Sequence, residues 1–128
     1  MNAVSLLAVG FGAFAGAVLR WLLGIALNPI LPTLPLGTLA ANLAGALIMG
    51  LALGFFAHYE ALPVAWRLAV TTGFLGGLTT FSTFSAETVT LFLRQQWGWT
   101  AAILSAHVVG SLAMTLIGIG LVRLFVRP

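Results

Sequence analysis

From Ala3 to about Leu27 the chain is apolar at every position except Ser5 and Arg20, long enough for one tilted bilayer crossing. Asn28, Pro29, Pro32 and Pro35 then interrupt the pattern, because three closely spaced prolines cannot continue a helix. A second apolar stretch runs from about Leu36 to Ala57 and gives way to His58, Tyr59, Glu60 and Pro63. A third extends from about Ala65 to Leu93, with Tyr59 and Trp66 placed where an amphipathic ring suits the headgroup level. Arg94, Gln95, Gln96, Trp97, Gly98 and Trp99 form a polar and aromatic connection, and a last stretch from about Thr100 to Leu121 is closed by Arg123 and Arg127. The pattern predicts one all-α domain over residues 1–128 with four membrane-spanning helices, at about 3–27, 36–57, 65–93 and 100–121, and both chain ends on one side.

Composition agrees: of 128 residues 61% are apolar and 5% charged, against about a quarter charged in a soluble globular domain. The absence of lysine, aspartate and cysteine excludes a disulfide framework, a thiolate metal site, a cysteine nucleophile and a Walker-type phosphate loop. Five arginines outweigh Glu60 and Glu87, but charges scattered at membrane edges are no nucleic-acid footprint, so no nucleic-acid partner is expected. Ala13 and Ala15 mimic a signal cleavage site, yet the basic start of a secretory signal is missing, so the first stretch is read as mature protein. Gly10, Gly12 and Ala15 match a dinucleotide fingerprint by chance, with no strand before them.

Arginine placement sets orientation, and here it is nearly even. The side bearing the chain ends has Arg67, Arg123 and Arg127, and the opposite side has Arg94 and Arg20, three against two. A chain so balanced is expected to insert both ways and to pair as an antiparallel homodimer, which buries surface that four thin helices cannot bury alone. Small residues at four-residue spacing predict close helix contacts: Gly12 and Gly16, then Ala46, Gly50 and Gly54, then Ala106 and Gly110.

Polar groups at membrane depth carry the chemical information, since each needs a partner. The stretch from Thr71 to Ser85, TTGFLGGLTTFSTFS, holds three glycines, three phenylalanines and seven hydroxyl residues. The adjacent Gly76 and Gly77 weaken helix and the threonines after them can bond the backbone locally, so the third span is expected to break around Gly76 to Thr80. Unwound carbonyls there suit a Na⁺ ion. The alternative is a glycine packing notch whose hydroxyls bond the preceding turn.

Phe81 and Phe84 share a helix face after the break, where ring edges offer an anion weak attraction. Ser82 and Thr83 add hydroxyls beside them. In the last span His107, Ser111 and Thr115 draw a polar line down one face, and Asn42 stands inside the second span one turn after Thr38. Amide, hydroxyl and imidazole groups are donors that can replace water shed by a small anion, whereas a carboxylate-lined cation path is absent. The rival account has Asn42 and the hydroxyls holding helices together or bonding the i−4 carbonyl. Arg20, beside Trp21, either snorkels to the interface or attracts anions at a pore mouth. Glu87, one turn past Phe84, would bond opened backbone or cap a hydroxyl network. His58 and Glu60 read as loop polarity.

The run GFLGGLTTFSTFS from Gly73 to Ser85, with GAVLR from Gly16 to Arg20 and PLGTLAANLAG from Pro35 to Gly45, closely resembles the CrcB/Fluc family of fluoride channels, and the likeness covers all four spans. The resemblance implies a dual-topology homodimer in the plasma (inner) membrane, with two antiparallel pores that passively export fluoride from a microbial cytoplasm. By position, Phe81 and Phe84 resemble the family's pore phenylalanines, Asn42 its pore asparagine and Ser111 a member of the polar track on the last helix. The carbonyls of Gly76 and Thr79, two from each subunit, resemble ligands of a structural Na⁺ that is not transported. His107 departs from the hydroxyl residue expected one turn before Ser111. Selectivity for fluoride over chloride follows from the resemblance alone.

Two other classes compete. A small multidrug exporter is also a four-span dual-topology dimer, but its proton coupling needs an acidic residue in the first span, and here Glu87 is the only intramembrane acid. A structural subunit that only packs would leave the hydroxyl cluster and phenylalanine pair without a role. Enzymatic activity is not expected, since His58 and His107 are far apart in sequence and no nucleophile, base and orienting group form a set.

Overall fold

The computed structural model describes residues 2–126 and is helical, with no strand among the described residues. Arg127, one of the arginines in the orientation tally, lies outside the described residues. Helix α1 (Ala3–Leu27) opens on Asn2, whose side chain accepts the Ser5 N–H at 2.8 Å. It runs into a single 3₁₀ turn, Asn28–Ile30, with Pro29 in its first turn, where a missing N–H costs nothing. Helix α2 (Leu36–His58) follows Pro35, which offers no side-chain cap. Asn28 supplies that cap from a distance: its Oδ1 accepts the N–H of Gly37 at 2.7 Å and of Thr38 at 3.2 Å, two donors that helix geometry leaves unpaired.

The third crossing is divided. Its first part, α3, comprises an α turn Val64–Leu68, a π-helical stretch Ala69–Leu75 and a closing turn Gly76–Leu78. Thr79 (φ −85°, ψ 153°) and Thr80 (φ −146°, ψ 116°) are extended. Helix α4 (Phe81–Leu93) then resumes, capped by the Thr80 side chain, which accepts the Thr83 N–H at 3.1 Å. The expected break is therefore present but narrower than Gly76 to Thr80: Gly76 is helical (φ −62°, ψ −36°), and only the two threonines leave the helix. Glycine's weak helix propensity loses here to packing, because a Cβ on Gly77 would collide with the carbonyl oxygen of Ala13. Gly77 is a close-approach site.

Two devices hold the broken end. The Thr79 N–H and its hydroxyl both donate to the Leu75 carbonyl, at 3.0 and 2.8 Å. Arg20 Nε, from α1, donates to the Gly77 carbonyl at 3.0 Å. Arg20 thus acts as a C-terminal cap for α3, a role that neither snorkelling nor pore-mouth attraction describes.

After a turn in which Gln95 takes a left-handed φ of 60°, helix α5 (Trp97–Phe125) completes the chain. Trp97, Gly98 and Trp99 lie in its first turn and not in a connection, so the last helix starts earlier than the polarity pattern suggests. Helices α1, α2 and α5 are each long and apolar enough to cross a membrane. The two parts of the third crossing reach that length only together.

α1 packs along α3 and α2 along α5. Both seams rely on missing side chains. Gly16 meets the Phe74 carbonyl, while Gly50 and Gly118 lie opposite each other, where a Cβ on either would strike backbone of the other helix. Gly12, Gly54 and Gly110 also face neighbours as the spacing predicts, whereas Gly118 was not part of that pattern. Few large side chains are enclosed: Leu75, Leu78 and Ile103 are the largest fully buried ones, and most of the aromatic and aliphatic surface faces outward. Such a surface suits a multi-pass integral membrane protein.

Gly16→Ala should destabilise the protein by about 1–3 kcal/mol, because its methyl group has nowhere to go. Gly10→Ala, in open space inside α1, should be neutral or stabilise by up to about 1 kcal/mol. Thermal unfolding in detergent compares the two; equal effects would contradict the packing account. Arg20→Met should cost about 1–3 kcal/mol by leaving the Gly77 carbonyl without its donor. The same unfolding assay reads it, and an unchanged midpoint would remove the cap from the account.

Candidate functional site

A cavity of about 470 Å³ opens beside the break, bounded by α2, α3, α4 and α5. Its wall brings together Asn42, Phe81, Phe84, His107, Ser111 and Thr115, residues far apart in sequence. Gly76 and Thr79 line it too. The extended threonines are what bring backbone to this wall: no hydrogen bond among the described residues reaches the Gly76 or Thr79 carbonyl, since the Thr79 and Thr80 N–H groups bond Leu75 and Asn42 instead. Both residues line the cavity, and both carbonyl oxygens keep their lone pairs free of hydrogen bonds among the described residues.

Asn42 sits at the centre of the polar contacts. Its Oδ1 accepts the Thr80 N–H at 2.8 Å, and its Nδ2 donates to the Thr80 carbonyl at 3.1 Å. The same Nδ2 is 2.9 Å from His107 Nδ1. The His107 ring stacks on Phe84 with centroids 4.6 Å apart and planes at 27°. Phe84 in turn meets Phe81 edge-to-face, at 5.6 Å and 72°. The two phenylalanines differ sharply in setting: Phe84 is 6% exposed and Phe81 is 78% exposed, so Phe81 lies on the open side of the cavity.

The hydroxyl residues divide. Thr79, like Thr71, bonds the carbonyl four residues back, the local pairing that competes with a pore role. Thr115 donates to the Ala46 carbonyl at 3.1 Å and so ties α5 to α2. Thr80 bonds Thr83 at 3.1 Å and Ser82 at 3.3 Å, forming a hydroxyl cluster at the start of α4. Thr38 is buried at the start of α2, its N–H bound to Asn28. Neither Thr38 nor Ser82 lines the main cavity.

A second cavity of about 370 Å³ lies toward the α4–α5 turn, lined by Thr83, Glu87 and Arg94 with Pro32, Thr33 and Thr90 among others. Glu87 thus faces this space with Arg94 and not the Phe81–His107 wall. Glu87 Oε2 and His107 Nε2 are buried without a hydrogen-bond partner among the described residues. Each such group costs about 1–3 kcal/mol, so each is held in place by its surroundings. The sequence carries no sign of three features that matter here: the Arg20–Gly77 bond, the Asn28 cap and the π-helical stretch. The first two join residues that are distant in sequence or outside regular helix, and the third has no local signature.

The match to known proteins extends over almost the whole chain. A family profile described as CrcB-like protein, Camphor Resistance (CrcB), matches residues 7–119. A relative from Nitrosospira multiformis, called fluoride-specific ion channel FluC, is 58% identical over 123 residues, covering 96% of each chain. Relatives of the same name from Tolumonas auensis and Pseudomonas paraeruginosa are 54% and 53% identical, covering 96% and 90% of this chain and 97% and 91% of their own. With a divided third crossing, a polar wall beside it and identity of this extent, the chain belongs to the CrcB family.

Proposed function

We propose that this protein is a passive fluoride channel of the plasma (inner) membrane that exports fluoride from the cytoplasm. The observation that carries the reading is the wall beside the break, where Ser111, His107 and the phenylalanine pair face one cavity, together with relatives named as fluoride-specific channels. A fluoride ion entering this space sheds water, and the hydroxyl of Ser111 offers a donor in its place, with the ring of His107 beside it. Phe81 and Phe84 add ring edges, which attract an anion without holding it as a fixed charge would. Thr83, which lines the second cavity, and Ser82 in the hydroxyl cluster beside it belong to the approach, whereas Thr38 is buried and lines neither cavity; Arg20 supports the path by fixing the end of α3.

The working unit in this reading is an antiparallel homodimer with two pores and a structural Na⁺. The open side of the cavity, the exposed Phe81 and the even arginine tally support a second copy seated there. The carbonyls of Gly76 and Thr79 fit a sodium ion in kind, being neutral oxygens free of hydrogen bonds. One chain supplies two of them, so a shared ion takes two more from the partner. Bound there, Na⁺ would supply fixed positive charge that stabilises the unwound backbone. The exporter alternative lacks support, because the first span contains no acidic residue.

In liposomes, purified protein should dissipate a fluoride gradient and pass negligible chloride, as read by ion-selective electrodes. Equal rates for the two anions, or no fluoride efflux, would overturn the proposal. Phe81→Ile should lower fluoride flux by about tenfold or more, equivalent to at least about 1.4 kcal/mol in the barrier. Size-exclusion chromatography checks that the variant keeps the size of the unaltered protein, and unchanged flux in such a variant would assign the ring to packing.

A further inference from the structure

The hydrogen-bond count around Asn42 points to a role other than contact with the ion. A side-chain amide has two N–H hydrogens and one carbonyl oxygen. The Thr80 N–H can only donate, so the atom 2.8 Å from it is Oδ1; the Thr80 carbonyl can only accept, so the atom 3.1 Å from it is Nδ2. The amide therefore cannot be reversed. Its remaining hydrogen points to His107 Nδ1 at 2.9 Å. Both donors are used, and none is left for a passing anion.

The same geometry fixes the imidazole. A ring nitrogen facing an amide hydrogen must present a lone pair, so Nδ1 accepts and the ring proton is on Nε2. Phe84, stacked on the ring, limits its rotation. Nε2 is buried with no hydrogen-bond partner among the described residues, so the N–H made available by this arrangement is not used elsewhere among them.

We infer that Asn42 is a positioning residue: it pins both backbone groups of Thr80 to α2 and, through its second hydrogen, holds His107 in the Nε2–H form. The break and the imidazole are then set by one side chain. The consequence for flux rests on the fluoride-channel reading, but the hydrogen-bond assignment does not.

The test uses the full-length protein in liposomes, labelled with ¹⁵N at its two histidines and asparagine side chains, with His58→Gln used to assign the His58 signals. Solid-state NMR should show His107 protonated at Nε2 and bare at Nδ1. A proton on Nδ1 in the unaltered protein overturns the inference whatever the variants do. Asn42→Asp places an acceptor opposite Nδ1, so the ring proton should move to Nδ1 and fluoride efflux should fall at least tenfold. A ring whose Nδ1 stays bare in a folded Asn42→Asp protein overturns it. Adding sodium fluoride to the unaltered protein provides a measurement independent of folding in the variant: no contact should appear between ¹⁹F and the Asn42 amide hydrogens, and such a contact would make Asn42 a ligand of the ion. If the unaltered protein conducts no fluoride yet shows the Nε2–H ring, the channel reading fails and the positioning role stands. If it conducts fluoride with the proton on Nδ1, the reverse holds.

Discussion

A peptide group that leaves a helix inside hydrocarbon has no water to bond, and every feature of the third crossing answers to that constraint. Two residues, Thr79 and Thr80, are extended, and the groups they release are met one by one. Leu75 receives the Thr79 N–H and hydroxyl, Gly77 receives Arg20, and Thr80 is bonded on both sides by Asn42. The carbonyls of Gly76, Leu78 and Thr79 accept no hydrogen bond among the described residues, and Gly76 and Thr79 line the cavity. The break is held because α1 and α2 each lend a polar side chain to it.

Close packing makes that lending possible. Arg20 reaches Gly77 because Gly16 and Gly77 let α1 and α3 approach to backbone contact. Asn42 and His107 meet across α2 and α5, the pair brought together by Gly50 and Gly118. With so little volume enclosed, the chain gains stability from backbone proximity more than from a thick core. The outward apolar surface and the open cavity are what a lipid-embedded assembly of copies would cover.

Much of the fold was legible in the sequence because lipid imposes a length on every crossing: α1 matches its expected limits, and α2 differs by one residue. The break was legible from the density of glycine and threonine, but its position was not. Propensity points to Gly76 and Gly77, whereas both stay helical, Gly77 pressed against Ala13 of α1, and the unwinding falls on the threonines. Asn42, Phe81, Phe84, His107, Ser111 and Thr115 were recognisable as costly or unusual groups at depth, and the structure brings them to one cavity. Their partners were not recognisable, since Asn42 and Thr80 are 38 positions apart and Arg20 and Gly77 are 57 apart. Thr115 shows the limit plainly: a hydroxyl on a polar stripe is also a tie between helices, and only the Ala46 contact reveals it.

The crossing unwinds at Thr79 and Thr80 while both flanks stay helical. Backbone ¹³C chemical shifts measured in lipid bilayers read this directly. The account predicts extended-type Cα and Cβ shifts at Thr79 and Thr80 between helical values at Leu78 and Phe81. Helical shifts running unbroken from Leu75 to Phe84 would contradict it.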